Sequence, residues 1–387
     1  MSVRIGCGLS TGTDPRVAAI EAGQQARAAL EGGHADIACV FASGTHLAAP
    51  EATLEGVHEA LAPDVLAGCG AGGVMGDGRE VERGTAVAVW AAALGDGSAE
   101  AFHLDVVHGP DSIAVGGLPD LDDATCVVLL PDPYSFPTDV VLSELARRAP
   151  GVPVLGGIAS ARTLDGDAAL FLGDSLCGDG AVGVAFSGVE VLPCVSQGAA
   201  PVGPELTVTA AEGHVIRELA GRPALDALRQ AIEGLAPDEQ VLVASGLLLG
   251  VVIDGGKPEY EQGDFLVRGV IGADPEAGTL TVGAPVQAGT VVRLHARDAA
   301  SADRDLRDAL GLRREALGGS APAGALVFSC NGRGEAMFGM PDHDALALDE
   351  ELDGAPAAGF FAAGEIGPVG GDSFLHGFTA TVAVFPR

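Results

Sequence analysis

The sequence predicts an α/β protein of two pseudo-repeated layered domains, with mixed β-sheets flanked by helices. Three observations carry that reading. The chain has 387 residues, too many for one compact core, so two domains are expected. Hydrophobic residues make up 48% and aromatics only 4%, so the core must be built mainly from Val, Leu, Ile and Ala, while the glycines fall between apolar runs as tight turns require. Finally, one pattern returns along the chain: short apolar strand, polar loop, helix, second apolar strand, glycine loop. Repetition at such long spacing points to layered α/β units and not to a solenoid.

The first copy opens with VRIGCGLSTGTDP, a strand followed by Gly6, Gly8 and Gly12, in which Asp14 and Pro15 suit the N-cap and first turn of a helix through Ala18, Ala22, Ala26 and Leu30. The strand Asp36 to Phe41 follows, which completes the outline of a dinucleotide-binding unit. No acidic residue stands after it to hold a ribose hydroxyl, so these glycines read as turns. Gly68 to Gly73 also fits GxGxxG but precedes no amphipathic helix; its glycines read as positive φ and close backbone approach at a strand end. CVVLLPDPYSFP, a helix over 139–148 and VPVLGGIAS form the second copy. Residues 181–195 alternate like a hairpin, and Gly203 and Pro204 mark the boundary between domains 1–202 and 203–387. Beyond it come a helix over 224–235, a degenerate copy in VLVASGLLLG, and strands near 265–271, 279–282 and 290–296. ARDAASADRDLRDAL then reads as a helix capped by Ser301 or Asp303. The last copy is GALVFSCNGRG, a helix over 344–352, and AAGFFAAGEIG.

Charge narrows the function classes. Fifty-three acidic residues against 21 basic ones give a net charge of −32, which repels nucleic acid and anionic membranes and reads as an acid-rich composition bias. The seven cysteines include no CxxC pair, so neither a zinc site nor a disulfide framework is suggested and a reducing cytoplasm fits. The longest apolar run, 241–253, is too short to span a bilayer, and no secretory leader stands at the start, so a soluble cytoplasmic protein is expected. Histidines are scattered, and the cluster Asp342, His343, Asp344 reads as a solvated helix start; no metal and no cofactor are expected.

The order GTVVRLHARDAASADRDL, GALVFSCNGRGEAMFG, GFFAAGEIGP and FLHGFT resembles the C-terminal domain of FIST proteins, and DIACVFASG with LAGCGAGG resembles their N-terminal domain. Together these cover nearly the whole chain. The resemblance implies an intracellular sensory protein that binds a small ligand such as an amino acid. Because the chain leaves no room for an output domain, the signal is expected to pass to a protein partner.

The residues themselves add candidates. Arg333 follows a buried strand beside glycines, where a guanidinium can grip a carboxylate or phosphate through two parallel hydrogen bonds; the competing reading pairs it internally with Glu335 or Glu365. Glu365 suits a ligand ammonium, and Asn331 with backbone amides would fix orientation. Cys330, with His376 as base and Asn331 or Glu365 as orienter, would make a thiol-dependent hydrolase or transferase, against the plainer reading of a small buried apolar thiol and a hydrogen-bonded structural histidine. Ser43, Thr45 and His46 could enter a facing site, although a surface-loop histidine explains His46 as well. The reading is therefore a non-enzymatic sensor of a small polar metabolite, with Cys330, Asn331, Arg333, Glu365, His376, Ser43 and His46 as ligand-site residues. The alternatives are the thiol enzyme and a ligand-free adaptor.

Overall fold

The computed structural model describes residues 2–108, 113–257, 259–260 and 263–387. The chain gathers into two compact units, one of Met1–Val195, Leu306–Leu375 and Ala380–Arg387, the other of Ser196–Asp305 and His376–Thr379. The architecture is α/β with mixed sheets, and the first unit repeats one layout three times.

The first copy comprises β1 (Arg4–Ser10), α1 (Pro15–Ala29), β2 (Ile37–Ser43), α2 (Pro50–Leu61), β3 (Val65–Ala71), a hairpin of β4 (Val74–Gly76) and β5 (Arg79–Val81), and β6 (Ala86–Ala93). Strands β2 and β3 are parallel, and β6 lies antiparallel between β1 and β2. The second copy has β7 (Ser98–His108), β8 (Ile113–Gly116), β9 (Ala124–Pro131), α3 (Thr138–Arg148), β10 (Val154–Gly157), a hairpin of β11 (Leu170–Leu172) and β12 (Ser175–Cys177), and β13 (Ala181–Ser187). Here β9 and β10 are parallel, with β13 antiparallel between β7 and β9.

Strand β14 (Leu192–Gln197) begins the third copy, and the second unit is inserted after it. That unit contains β15 (Ala199–Glu212), β16 (Val215–Leu219), β17 (Arg222–Pro223), α4 (Ala224–Glu233), α5 (Pro237–Ser245), β18 (Leu247–Val252), β19 (Phe265–Asp274), β20 (Thr279–Val282) and β21 (Val291–Arg297). Its sheet runs β15-β21-β18-β19-β20-β16-β17, and β15 also pairs β16, so six antiparallel strands close on themselves. The third copy resumes with α6 (Ala299–Ala316), β22 (Gly324–Cys330), α7 (Glu335–Phe338), α8 (His343–Glu351), β23 (Ala357–Ala362), a hairpin of β24 (Glu365–Val369) and β25 (Asp372–His376), and β26 (Thr379–Phe385). Strands β22 and β23 are parallel, and β26 lies between β22 and β14.

The hairpins are exchanged in a cycle. The first copy's β4–β5 extends the third copy's sheet at β23, the second copy's β11–β12 extends the first's at β3, and the third copy's β24–β25 extends the second's at β10. No copy completes its own sheet, because each outer parallel strand would present unpaired N–H and C=O groups without a hairpin from another copy.

Glycine explains the recurrence at the level of single residues. The parallel registers pair Val40 with Gly68, Leu129 with Gly156 and Val327 with Gly359. A Cβ on these glycines would sit 1.9, 1.9 and 1.8 Å from the carbonyl oxygen of the paired residue, so no other residue fits there without moving the backbone. Gly68 and Gly70 thus lie within β3 without positive φ, which corrects that part of the expectation, whereas the close backbone approach expected there is found at Gly68. Likewise Gly6 and Gly8 belong to β1 and not to a turn, and a Cβ on them would meet the carbonyl oxygens of Ala26 and Ala22 at 2.0 Å. Their absent side chains let α1 lie directly on the strand.

The three sheets bury one shared core, in which Phe41 packs on Phe360 with ring centroids 4.9 Å apart and Trp90 on Phe385 at 5.1 Å. Two further expectations are corrected. Residues 241–245 belong to α5, and β18 has only antiparallel neighbours, so VLVASGLLLG does not form a fourth copy among the described residues. Helix α6 is capped by Asp298, whose Oδ2 accepts the Ser301 N–H at 3.1 Å, in place of Ser301 or Asp303. Among the described residues no helix is long and apolar enough to cross a membrane.

Candidate functional site

The carboxyl ends of the three parallel pairs meet. Gly72, just past β3, donates its N–H to Ser160 Oγ at 2.9 Å, and Ser160 Oγ donates in turn to the Phe361 carbonyl on β23. The Phe361 N–H donates to Gly73 O at 3.0 Å, the Ala363 N–H to Ile158 O at 3.0 Å, and the Ile158 N–H to Gly364 O at 2.8 Å. A Cβ on Gly72 would lie 3.8 Å from Asn331 Oδ1. Gly72 and Asn331 are exposed and Ser160 is partly so, which leaves a polar mouth at the strand edge where α/β sheets ordinarily bind ligands.

Beneath it the third copy buries a charged network. Strand β22 is apolar to Phe328, turns polar at Ser329 and Cys330, and leads to Arg333, which is 1% exposed. The guanidinium meets Asp344 fork to fork, Nε to Oδ2 at 2.8 Å and Nη2 to Oδ1 at 2.9 Å. Asp344 also accepts from Ser329 Oγ at 2.7 Å and from His343 Nδ1 at 2.9 Å. Burial pushes its carboxyl up, but the Arg333 charge and these hydrogen bonds outweigh burial and hold it well below the ordinary carboxylate range. Burial opposes the Arg333 charge too, yet Asp344 raises its pKa, and Glu365 adds to that effect. The buried Arg333 Nη1 makes no hydrogen bond among the described residues. The Phe338 ring lies 5.1 Å from the Arg333 Cζ and stacks on His343 at 3.4 Å.

The exchanged hairpin holds this network from behind. Glu80 on β5 donates its N–H to Asp342 Oδ1 at 2.6 Å, and its Oε1 accepts the Ala345 N–H at 2.9 Å, so a strand from the first copy caps α8 in the third. Burial first, then the nearby Asp344 charge, pushes the Glu80 carboxyl up to about 8.

In the second copy a parallel arrangement appears. Asp132, 1% exposed, accepts from Arg162 Nε at 3.1 Å and Nη2 at 2.9 Å, and from Ser135 Oγ at 2.7 Å. Burial raises this carboxyl, but the bonds from Arg162 and Ser135 bring it below its usual value. Arg162 Cζ lies 4.6 Å over the Tyr134 ring, which is 79% exposed. Counting three residues on from Val40, Leu129 and Val327 reaches Ser43, Asp132 and Cys330; counting six on from Gly68, Gly156 and Gly359 reaches Val74, Arg162 and Glu365. The two positions that hold an ion pair in the second copy hold a thiol and a carboxylate in the third. Sequence reading passed over Asp132 and Arg162, although Asp132 stands at the strand end in CVVLLPDPYSFP.

The structure therefore brings Cys330, Arg333 and Glu365 together and sets Asn331 at the mouth. Cys330 and Glu365 are buried, and Cys330 Sγ accepts the Gly332 N–H at 3.4 Å. Three expectations change. His343 and Asp344 are buried and not solvated, and Asp344 is the partner of Arg333 in place of Glu335 or Glu365. His46 is fully buried and not in a surface loop, and burial lowers its pKa. The Ser43 hydroxyl donates to Gly84 O at 3.0 Å. His376 falls in the second compact unit, whereas Cys330 falls in the first.

Two other groups have cation-binding chemistry. His34, Asp36 and Asp64, and separately His103, Asp105 and Asp179, bring their ligand atoms within 4.8 Å of one another. In each the histidine faces a carboxylate, His34 Nε2 to Asp64 at 2.9 Å and His103 Nδ1 to Asp105 at 3.1 Å.

Comparison with known proteins covers nearly the whole chain. Residues 36–222 match the FIST N domain and residues 224–368 the FIST C domain. An uncharacterized protein of Mycobacterium tuberculosis (strain ATCC 25618 / H37Rv) is 45% identical over 384 residues, 99% of this chain and 100% of that protein. An uncharacterized protein of Mycobacterium bovis (strain ATCC BAA-935 / AF2122/97) is 43% identical over 385 residues, 99% of each chain.

Proposed function

The chain belongs to the FIST family, and from that premise we propose that it is a sensory protein that binds a small zwitterionic metabolite of the amino-acid class at the strand-end mouth. The observation that supports this reading is charge of both signs, desolvated beneath a polar opening: the Arg333 guanidinium with one nitrogen outside its Asp344 fork, and the Glu365 carboxylate in its field. A ligand carboxylate would take Arg333 Nη1 and the Asn331 amide, and an ammonium would face Glu365. Low local dielectric strengthens both contacts relative to water. Binding without turnover suits Cys330, which is buried with its sulfur accepting a backbone amide. Seven free cysteines favour a reducing, cytoplasmic setting, and the signal would leave through a protein partner.

A thermal-shift screen of amino acids and related zwitterions tests the reading. A ligand at about one hundred times its Kd stabilises by about 2.7 kcal/mol, a rise of several degrees in Tm. Asn331→Ala, at an exposed position, should weaken that ligand at least tenfold without changing the unliganded Tm. No shift with any zwitterion, or unchanged affinity in Asn331→Ala, overturns the site.

A further inference from the structure

A second site follows from an imbalance elsewhere in the first unit. The chain has 21 cationic side chains and a net charge of −32, so its arginines should all be neutralised. Among the described residues each of them has a hydrogen bond, ion pair or ring contact except Arg79 and Arg83. Both line one cleft of about 660 Å³, formed by β5, the loop after β1 and the region of α7, and joined there by Thr11, Glu80, Glu82 and Glu335. Two of the three acids beside them each commit one oxygen to a backbone amide. Glu82 Oε1 accepts the Glu335 N–H at 2.7 Å, and Glu80 Oε1 accepts the Ala345 N–H at 2.9 Å. Glu80 Oε2 is buried and has no hydrogen-bond partner among the described residues.

We propose that this cleft binds a small metabolite bearing an oxyanion, a carboxylate or a phosphate ester, with Arg79 and Arg83 neutralising the charge and Glu80 Oε2 completing the contact. A buried oxygen without a partner costs stability, so a ligand that reaches it gains both a hydrogen bond and relief of that cost. Glu80 meets an anion as a donor, because burial and Asp344 raise its carboxyl to about 8 and it keeps its proton at neutral pH. The volume lies within the range of metabolite pockets. None of Asn331, Arg333 or Glu365 lines the cleft, so this site stands independently of the zwitterion site.

Isothermal titration of the full-length protein with inorganic phosphate, glycerol phosphate and succinate, at fixed ionic strength in chloride, tests the assignment and separates phosphate from carboxylate ligands. At least one probe should bind saturably. The exposed double variant Arg79→Gln/Arg83→Gln should weaken it at least tenfold, while Arg79→Lys/Arg83→Lys, which keeps the charge, should retain most of the affinity. Glu80→Gln, which keeps a donor at the same place, should bind within a few fold of the parent. Trp90 emission should be unchanged in the arginine variants, since neither exposed side chain makes a hydrogen bond, ion pair or ring contact among the described residues. No saturable binding of any probe, or equal affinity in the glutamine double variant, overturns the proposal.

Discussion

Arg333→Met should destabilise the first unit by about 3–5 kcal/mol. The substitution keeps most of the side-chain volume but removes both bonds to Asp344, leaving a carboxylate that is 2% exposed with only Ser329 and His343 as partners. Breaking one side of a buried ion pair costs about 3–5 kcal/mol, and two charge-assisted hydrogen bonds at about 1.5–3 kcal/mol each reach the same range. Removing both charges in Arg333→Met/Asp344→Leu should cost less than Arg333→Met alone, because no uncompensated carboxylate remains buried; the residual loss comes from Ser329 and His343, which lose their acceptor. Urea unfolding followed by tryptophan emission measures this directly. Trp90 is the single tryptophan, is fully buried, and belongs to the same unit as the pair, so its signal reports the relevant transition. Domains are stable by only about 5–15 kcal/mol, so the predicted loss shifts the midpoint plainly. If Arg333→Met costs under about 1 kcal/mol, or the double variant costs the sum of the two single ones, the pair does not carry the network.

Three further outcomes are expected. Glu80 has a folded pKa near 8 against an ordinary value of 4.5, so its contribution is complete below the ordinary value and is lost as pH rises through about 8. In that window stability should fall by about 1.4 kcal/mol per pH unit from this group, and Glu80→Gln should flatten the dependence; identical slopes of urea midpoint against pH would contradict the assignment. Gly359→Ala and Gly68→Ala should each lower the urea midpoint strongly, since a Cβ would sit 1.8 or 1.9 Å from a partner-strand carbonyl, whereas Gly289→Ala, which meets no atom within 4 Å but has φ +94°, should show only the cost of its backbone conformation. Mass spectrometry after brief alkylation should find Cys330 labelled no faster than the partly exposed Cys7 and Cys177; faster labelling would favour the thiol-enzyme alternative.

The strand-loop-helix-strand segments were legible because they are local. Apolar runs such as Val127 to Leu130 and Ala325 to Phe328 are long enough for one buried strand, and the loops between them carry Pro, Gly and capping residues. VLVASGLLLG misled because a short apolar run has no periodicity that separates a buried strand from a helix end, and here it is part of each. His46 misled similarly, since burial of a polar side chain depends on what covers it.

Sequence alone determined that Arg333 stands at a strand end beside glycines, with Cys330 and Asn331, and that a glutamate follows the paired strand. Only the tertiary structure decided who neutralises whom. Asp344 lies on a helix read as solvated, and it is buried in part because β5, separated from it by more than 260 residues, caps that helix through Glu80. The matching positions of Asp132 and Cys330, and of Arg162 and Glu365, likewise emerge only when the three glycine registers are aligned. Backbone geometry is written in neighbouring residues, but the partner of a buried charge is set by whichever distant segment folds over it, and here that segment is a hairpin from another copy.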